Sequence, residues 1–397
     1  MGVELPVDDL DPIQRELVER ARELAQTELK PHAERWDREQ EFPERSFQLL
    51  TQAGLAAITV PRAYGGRGLG VFEGCLVLEE IAAACMNSAM TMQMQINGPP
   101  RVIARLGSEA QKRHYLPRIA EGRVRFAIAM TEPQAGSDGI ALETTLTPDG
   151  EGFRLDGSKC HITGASYADA FLVFCRAPGT VGPDGIGAVL IDADIQGLAP
   201  IETEEKMGGR GVPEGVLRFT GAPVRRDQLM LEPRAGSRDG AAFLVRQFNP
   251  ERCGNAAMSI GVARAALADA IDYVKERQQF GRPVLEFQGI QWRIAEMATR
   301  LDAARLLLWR AARSEVEGFP GIRETAMDKM YANEAAVDIC NEAIQLLGHK
   351  GYLTRYPLER YFRDVRGLGI GGGTTHILRN MIAAEVTGVR VGQRRKG

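Results

Sequence analysis

The chain has 397 residues, with 49 Lys and Arg against 52 Asp and Glu, a net charge of −3, and 44% of it is apolar. That composition excludes general disorder, and the length allows two or three domains, each with its own core. Near-neutral charge, with basic residues scattered throughout, leaves no footprint for a nucleic-acid partner.

Residues 390–396 form the one strongly basic stretch and read as a solvated tail. The six cysteines contain no C-x-x-C pair and the five histidines no H-E-x-x-H, so no metal site is expected. The N-terminus is acidic and Pro-containing, not basic then apolar, and no apolar run is long enough to span a bilayer. A reduced, cytoplasmic protein without membrane insertion is the expectation.

In chain order, helical periodicity comes first. Asp11-Pro12 is a cap followed by Pro at the first helical position, with Ile13, Leu17, Leu24 and Leu29 at helical spacing before Pro31. Ser108 to Gln111 has capping-box spacing. Short β-rich runs follow at 126–130, 153–155, 171–174, 187–191 and 216–219, with Pro148-Asp149-Gly150 as a turn. They suit a small barrel or sandwich. Ala-rich helical pattern returns from about 239, with bundle-length helices predicted over 256–277, 287–316 and 323–347. No internal repeat, G-x-G-x-x-G after a strand or P-loop is present, so solenoid, Rossmann and P-loop readings lack support.

The run Ala129-Met130-Thr131-Glu132-Pro133-Gln134-Ala135-Gly136-Ser137-Asp138 ends a β-run in small and hydroxyl residues. By itself it reads as a Gly-containing turn. It also carries intact the T-E-P-x-A-G-S-D signature of the acyl-CoA dehydrogenases, which the sequence resembles over nearly its whole length. Further matching segments fall in family order: Val60-Pro61 to Gly65-Gly66, Gly157-Ser158-Lys159 to Ile162-Thr163, Arg277-Gln278-Gln279-Phe280-Gly281, Phe287-Gln288, Gln345 to Gly351-Tyr352, and Arg363-Asp364 to Gly373-Thr374.

The resemblance implies an N-terminal α-helical domain (1–124), a middle β-barrel (125–236) and a C-terminal four-helix bundle (237–397). It also implies FAD as cofactor, an acyl-CoA substrate, electron-transfer flavoprotein as acceptor, and a homotetramer with FAD partly across a subunit interface. Thr131, Gly136, Ser137, Ile162 and Thr163 would meet the flavin, with Ser137 also on the acyl-CoA. Arg277 would meet the pyrophosphate from a neighbouring subunit, which suits its planar fork; a solvated cation at a helix end is the other reading. Phe280, Gln288, Gln345, Leu346, Gly348 and Thr374 would complete the cofactor pocket, although each also suits ordinary helix packing.

The implied reaction is α,β-dehydrogenation of a thioester, in which a carboxylate removes the α-proton and the β-hydrogen leaves as hydride to flavin N5. Most family members carry that carboxylate immediately before the last Gly-Thr, where this chain has Gly372 within Gly371-Gly372-Gly373-Thr374. In the isovaleryl-CoA and long-chain type, a glutamate before an arginine in the C-terminal domain does the work. This chain reads Phe248-Asn249-Pro250-Glu251-Arg252 there.

Glu251 is therefore the expected base, with Phe248, Asn249, Arg252, Gly372 and Gly373 around the substrate and the Gly372 N–H donating to the thioester carbonyl. Asn249-Pro250-Glu251 is also a good helix start. His161 stands where the family usually has a tryptophan against the flavin. His349 and His376 also depart from the pattern, and each of the three suits a surface or packing role.

Met90 and Met94, within Met86 to Met94, fall where family members line the acyl pocket; a Met-containing core helix explains them too. Met207 to Glu214 and Glu286 to Met297 resemble the branch containing the sulfinopropionyl-CoA desulfinase. That activity, an oxygen-using flavoenzyme and a non-catalytic acyl-CoA-binding protein are the alternatives.

Overall fold

A computed structural model describes residues 4–389, so the basic stretch at 390–396 lies outside the described residues. Helices open the chain: α1 (Pro12–Leu24), α2 (Ala33–Arg38), α3 (Glu44–Gln52), α4 (Val71–Ala84), α5 (Met86–Ile96), α6 (Pro99–Leu106) and α7 (Glu109–Ala120). Both sequence-predicted caps form. Asp11 Oδ1 accepts from the Ile13 and Gln14 N–H groups while Gln14 Oε1 accepts from Asp11 N–H, and Ser108 and Gln111 exchange the same pair of bonds. The helix does not stop at Leu24, because one π-helical turn over Ala25–Leu29 carries it on to Pro31.

Eight strands follow: β1 (Phe126–Ala129), β2 (Thr145–Asp149), β3 (Gly152–Thr163), β4 (Ala170–Arg176), β5 (Ile186–Asp192), β6 (Glu202–Glu204), β7 (Glu214–Val224) and β8 (Leu229–Leu231). They form one mixed sheet ordered β6-β7-β3-β2-β4-β5-β8, with β1 parallel to β4. Period-2 alternation sorts β4 between two cores: Phe171, Val173 and Cys175 pack inside the sheet with Leu155, Leu217 and Phe219, while Ala170, Leu172 and Phe174 pack outside it against Leu116, Ile119 and Leu244. Strands from across the sheet contribute to the same inner cluster, so the sheet curls around it.

The rest is helical: α8 (Asp239–Glu276), a small hairpin of β9 (Gln278–Gln279) and β10 (Arg282–Pro283), then α9 (Gln288–Arg313), α10 (Ile322–Leu347), α11 (Leu358–Leu368) and α12 (Thr375–Thr387). α4 is buried on nearly every side among them. Its Glu79 forms a paired bond with Arg305 of α9, and its Glu80 with Arg264 of α8. Glycine is required at Gly261, where a Cβ would lie 2.3 Å from the Glu79 carbonyl oxygen and α8 could not approach α4.

α8 corrects one expectation. It begins 17 residues before the predicted 256, and Pro250 lies inside it, so Asn249-Pro250-Glu251 is helix interior and not a helix start. Local cap chemistry pointed the other way. The burial of Leu244 in the outer core of the sheet, and of Cys253 onward in the helical core, overrides it.

Candidate active site

The T-E-P run is anchored by a buried ion pair. Glu132, ending the β1 side, accepts from Lys159 Nζ at 2.6 Å, from the Thr144 N–H at 3.0 Å and from the Glu143 N–H at 2.5 Å. Lys159 also donates to the Met130 carbonyl at 3.1 Å. Burial works against ionising Glu132, but the Lys159 ammonium and the neighbouring donors hold its carboxyl below the ordinary value. The pair ties β3 to the turn, with Thr131 partly buried and Gly136 and Ser137 exposed beyond it.

On the helical side, Met90 and Met94, one turn apart on α5, line a shallow open cleft with Thr163, Gly164, Tyr167, Val212 and Gln95. The methionine run thus divides: Met86 and Met92 are core, and Met90 and Met94 face the cleft. The opposite side of α5 meets α8, where Gln93 Nε2 donates to the Glu251 carbonyl at 3.1 Å.

Glu251 Oε1 is enclosed and has no hydrogen-bond partner among the described residues. Burial pushes its carboxyl up to about 8, and the neighbouring Arg252 offsets this only in part. Arg252 does not hydrogen-bond Glu251. Its Nη1 donates to Asn249 Oδ1 at 2.8 Å, and Asn249 Nδ2 in turn donates to the Pro320 carbonyl at 2.8 Å. Asn249 is therefore a buried clamp on Arg252 rather than an exposed group, and Phe248 is partly buried against the outer core of the sheet.

The glycine turn approaches this region from α11. Gly372 has φ +69° and Gly373 φ +96°, conformations that a side chain disfavours. Neither N–H has an acceptor among the described residues, which leaves two adjacent donors beside the N-terminus of α12, an arrangement suited to negative charge. Beneath the turn lies Lys329 of α10, whose Cε would be 3.5 Å from a Cβ at position 372. Its Nζ donates to Gly373 O (3.0 Å), Leu368 O (2.9 Å) and Asn333 Oδ1 (3.1 Å). Asn333 Nδ2 lies 2.9 Å from Asn255 Oδ1 and 2.7 Å from Ser259 Oγ on α8. Burial, with the Arg252 guanidinium adding to it, brings the Lys329 ammonium down to about 7.

The sequence reading missed Lys329 and Asn333. The available signal was the polar group Thr325, Asp328, Lys329 and Asn333 at the start of α10, whose later buried positions are small or apolar.

Asp328, the preceding residue, is fully buried and neither carboxyl oxygen has a partner among the described residues. Burial drives its pKa well above the ordinary value. A carboxyl raised in the folded state holds its proton there while the unfolded chain has lost it, so stability falls as pH climbs from the unfolded value towards the folded one. Asp328→Asn is expected to flatten the alkaline loss of stability by up to about 1.4 kcal/mol per pH unit, measured by denaturant unfolding between pH 6 and 9; an unchanged slope would refute it.

The other expected cofactor residues are spread over several elements. Arg277 and Gln288 are exposed, and Phe280, at φ 53°, is 92% exposed on the β9–β10 hairpin. Arg277 has no ion pair among the described residues. Gln345 is exposed and Leu346 partly buried at the end of α10, with Gly348 as its C-cap. Thr374 caps α12 by accepting from the Ile377 N–H at 3.2 Å, and His376 is exposed in the first turn. Ile162 is buried in the inner core of the sheet, and His161 is exposed at φ 55° with Nδ1 3.0 Å from Glu204 Oε2. His161, Glu204 and Glu214 bring donor atoms within 4.8 Å of one another, but His161 already pairs with Glu204, and Glu214 with Lys206.

Three family models cover the chain: the acyl-CoA dehydrogenase N-terminal domain at residues 11–123, middle domain at 127–222 and C-terminal domain at 238–387. The chain belongs to the acyl-CoA dehydrogenase family, oxidoreductases acting on CH–CH groups with FAD as cofactor. It is 38% identical to a 3-sulfinopropanoyl-CoA desulfinase of Paraburkholderia xenovorans over 98% of this chain and 99% of that protein. It is 37% identical to an acryloyl-CoA reductase (NADH) of Anaerotignum propionicum over 92% of each. The butyryl-CoA dehydrogenase structure from Megasphaera elsdenii superposes with a TM-score of 0.91 at 30% identity, covering 96% of this chain and 99% of that one. No helix among the described residues is long and apolar enough to cross a membrane.

The residues present fit FAD. The unpaired Arg277 guanidinium and the Thr163 side of the cleft are donors suited to diphosphate and to a polar ring edge.

Proposed function

We propose that the chain is an acyl-CoA dehydrogenase whose α-proton base is Glu251, forming a 2,3-enoyl-CoA and passing electrons to electron-transfer flavoprotein. The observation that carries this reading is an enclosed carboxyl oxygen without a partner, on a residue pushed up to about 8. A carboxyl in that environment is a far stronger base than an exposed one, and it has no internal group to satisfy it. The two free N–H groups of the glycine turn supply donors for the oxygen that gains charge when the α-proton leaves. Met90 and Met94 give the acyl chain an apolar, adaptable wall. FAD supplies the acceptor for the β-hydrogen when bound.

Thr131, Gly136, Ser137, His161 and Ile162 join Thr163 on the flavin side in this reading. Arg277, Phe280, Gln288, Gln345, Leu346, Gly348, Thr374 and His376 serve cofactor contacts shared between copies of a homotetramer. The exposed hairpin carrying Phe280 supports a reach towards a second copy.

The test is anaerobic absorbance of the flavin titrated with butyryl-, isovaleryl-, glutaryl- and longer acyl-CoAs. Bleaching by one class supports the reading and names the substrate. A second reading, C–S cleavage, is favoured by the relatives named 3-sulfinopropanoyl-CoA desulfinase; turnover of that thioester without net reduction of an electron acceptor would establish it instead.

The elevated pKa of Glu251 sets the pH profile. Because the base acts deprotonated, kcat/KM is expected to rise about tenfold per pH unit below about 8 and to level off above it. A profile flat from pH 6 to 9 would remove Glu251 from that role.

A further inference from the structure

We propose that Lys329 is a positioning residue for catalysis. It holds the Gly371–Gly373 turn in the backbone conformation that leaves the Gly372 and Gly373 N–H groups free for the substrate, and through Asn333 it registers that turn against the face of α8 that carries Glu251.

The argument starts from valence. A lysine ammonium has three N–H bonds, and the three acceptors around Lys329 use all of them: two are main-chain oxygens, Leu368 O before the turn and Gly373 O within it, and the third is Asn333 Oδ1. Lys329 therefore clasps the turn from both sides and forms no ion pair among the described residues. A buried ammonium spent on two carbonyls is costly to keep unless those carbonyls must stay where they are. Glycine at 372 and 373 makes the turn adoptable, but glycine also leaves it free to leave that conformation; the clasp removes that freedom.

Asn333 extends the device. It sits one turn along α10 from Lys329, and its amide nitrogen reaches Asn255 and Ser259. Asn255 lies four residues after Glu251 on α8, so the two share a helix face. The chain Asn255–Asn333–Lys329–Gly373 thus links the carboxylate's helix to the N–H donors across the bundle by direct hydrogen bonds. A displacement of about 1 Å between base and donors is enough to lose a large factor in rate, which is the function such a link would serve. Lys329 itself faces Arg252 on α8 and its own neighbour Asp328, and the three N–H bonds of its charged form are spent on fixed acceptors, so it does not touch substrate.

The inference rests on the Glu251 reading, and the experiment separates the two. The FAD-loaded full chain is compared as wild type, Lys329→Met, Asn333→Leu and Glu251→Gln. The probe is whichever of butyryl-, isovaleryl- and glutaryl-CoA bleaches the wild-type flavin fastest. Four quantities are read: flavin content, thioester Kd, kcat per bound flavin, and the rate at which the thioester α-proton exchanges into D2O.

Lys329→Met is expected to keep Kd within threefold while kcat and α-exchange per bound flavin both fall 10- to 100-fold; Asn333→Leu should fall in the same direction by less. Unchanged kcat and exchange per bound flavin in Lys329→Met would overturn the proposal. Should that variant fail to fold, Asn333→Leu decides, and exchange within twofold of wild type overturns it. Glu251→Gln reports on the base alone: persisting α-exchange there removes the base assignment but leaves the Lys329 comparison intact. Hydrogen exchange at the Gly371 and Thr375 amides, which bond the flanks of the turn back to Gly367 O and Gly369 O at the end of α11, gives a reading independent of turnover; it should quicken in Lys329→Met and not in Glu251→Gln.

Discussion

Glu251→Gln is expected to retain FAD and bind acyl-CoA while losing at least 10²- to 10⁴-fold in the rate of flavin reduction, the range that one positioned base supplies. The amide keeps the shape of the carboxyl, and the enclosed Glu251 Oε1 has no hydrogen bond among the described residues whose loss would disturb the fold. Rapid-mixing absorbance under anaerobic conditions measures the step directly, with equilibrium titration of a non-reducing thioester as the binding control. A variant that reduces its flavin at the wild-type rate would move the base elsewhere. Adding Gly372→Glu to restore the commoner arrangement is not expected to recover full activity. A side chain there would take a left-handed conformation at φ +69°, with its Cβ 3.5 Å from Lys329, and that backbone alone costs roughly 1–2 kcal/mol.

The largest expected loss of stability comes from Lys159. Lys159→Met leaves Glu132 buried with no cation, and breaking a buried pair from one side costs about 3–5 kcal/mol. Denaturant unfolding of the variant should show that loss together with weaker flavin retention, because Glu132 also fixes the backbone of Glu143 and Thr144 around the turn. Replacing both partners, as Glu132→Met with Lys159→Met, should recover part of the stability while leaving the turn unanchored. A double-variant loss equal to the sum of the two single-variant losses would show that the pair is not coupled.

The three-part plan was legible from periodicity alone. β4 and β5 read as short apolar runs because both faces are buried, and each cap at Asp11 and Ser108 formed as its residues dictate. β3 was read as three residues and has 12, because Asp156, Ser158 and Lys159 interrupt the apolar alternation while the ladder to β7 continues. Pro250 misled for a related reason: residue-level cap chemistry is short-range, whereas the burial that draws α8 through it is set by residues far apart in sequence.

At the site, the contacts among Glu251, Asn249 and Arg252 were out of reach, since Arg252 turns to Asn249 and not to Glu251. The role of Lys329 could not be read from its position in α10 because its acceptors are mostly main-chain oxygens, which carry no residue identity.

The single helix α8 has a mechanical consequence. Its first turns, at Leu244, belong to the outer core of the sheet, and from Cys253 onward it belongs to the helical core, so neither core can open without fraying the same rod. Sheet and bundle should therefore unfold as one cooperative unit, with amides on both sides of Glu251 exchanging by the same global opening.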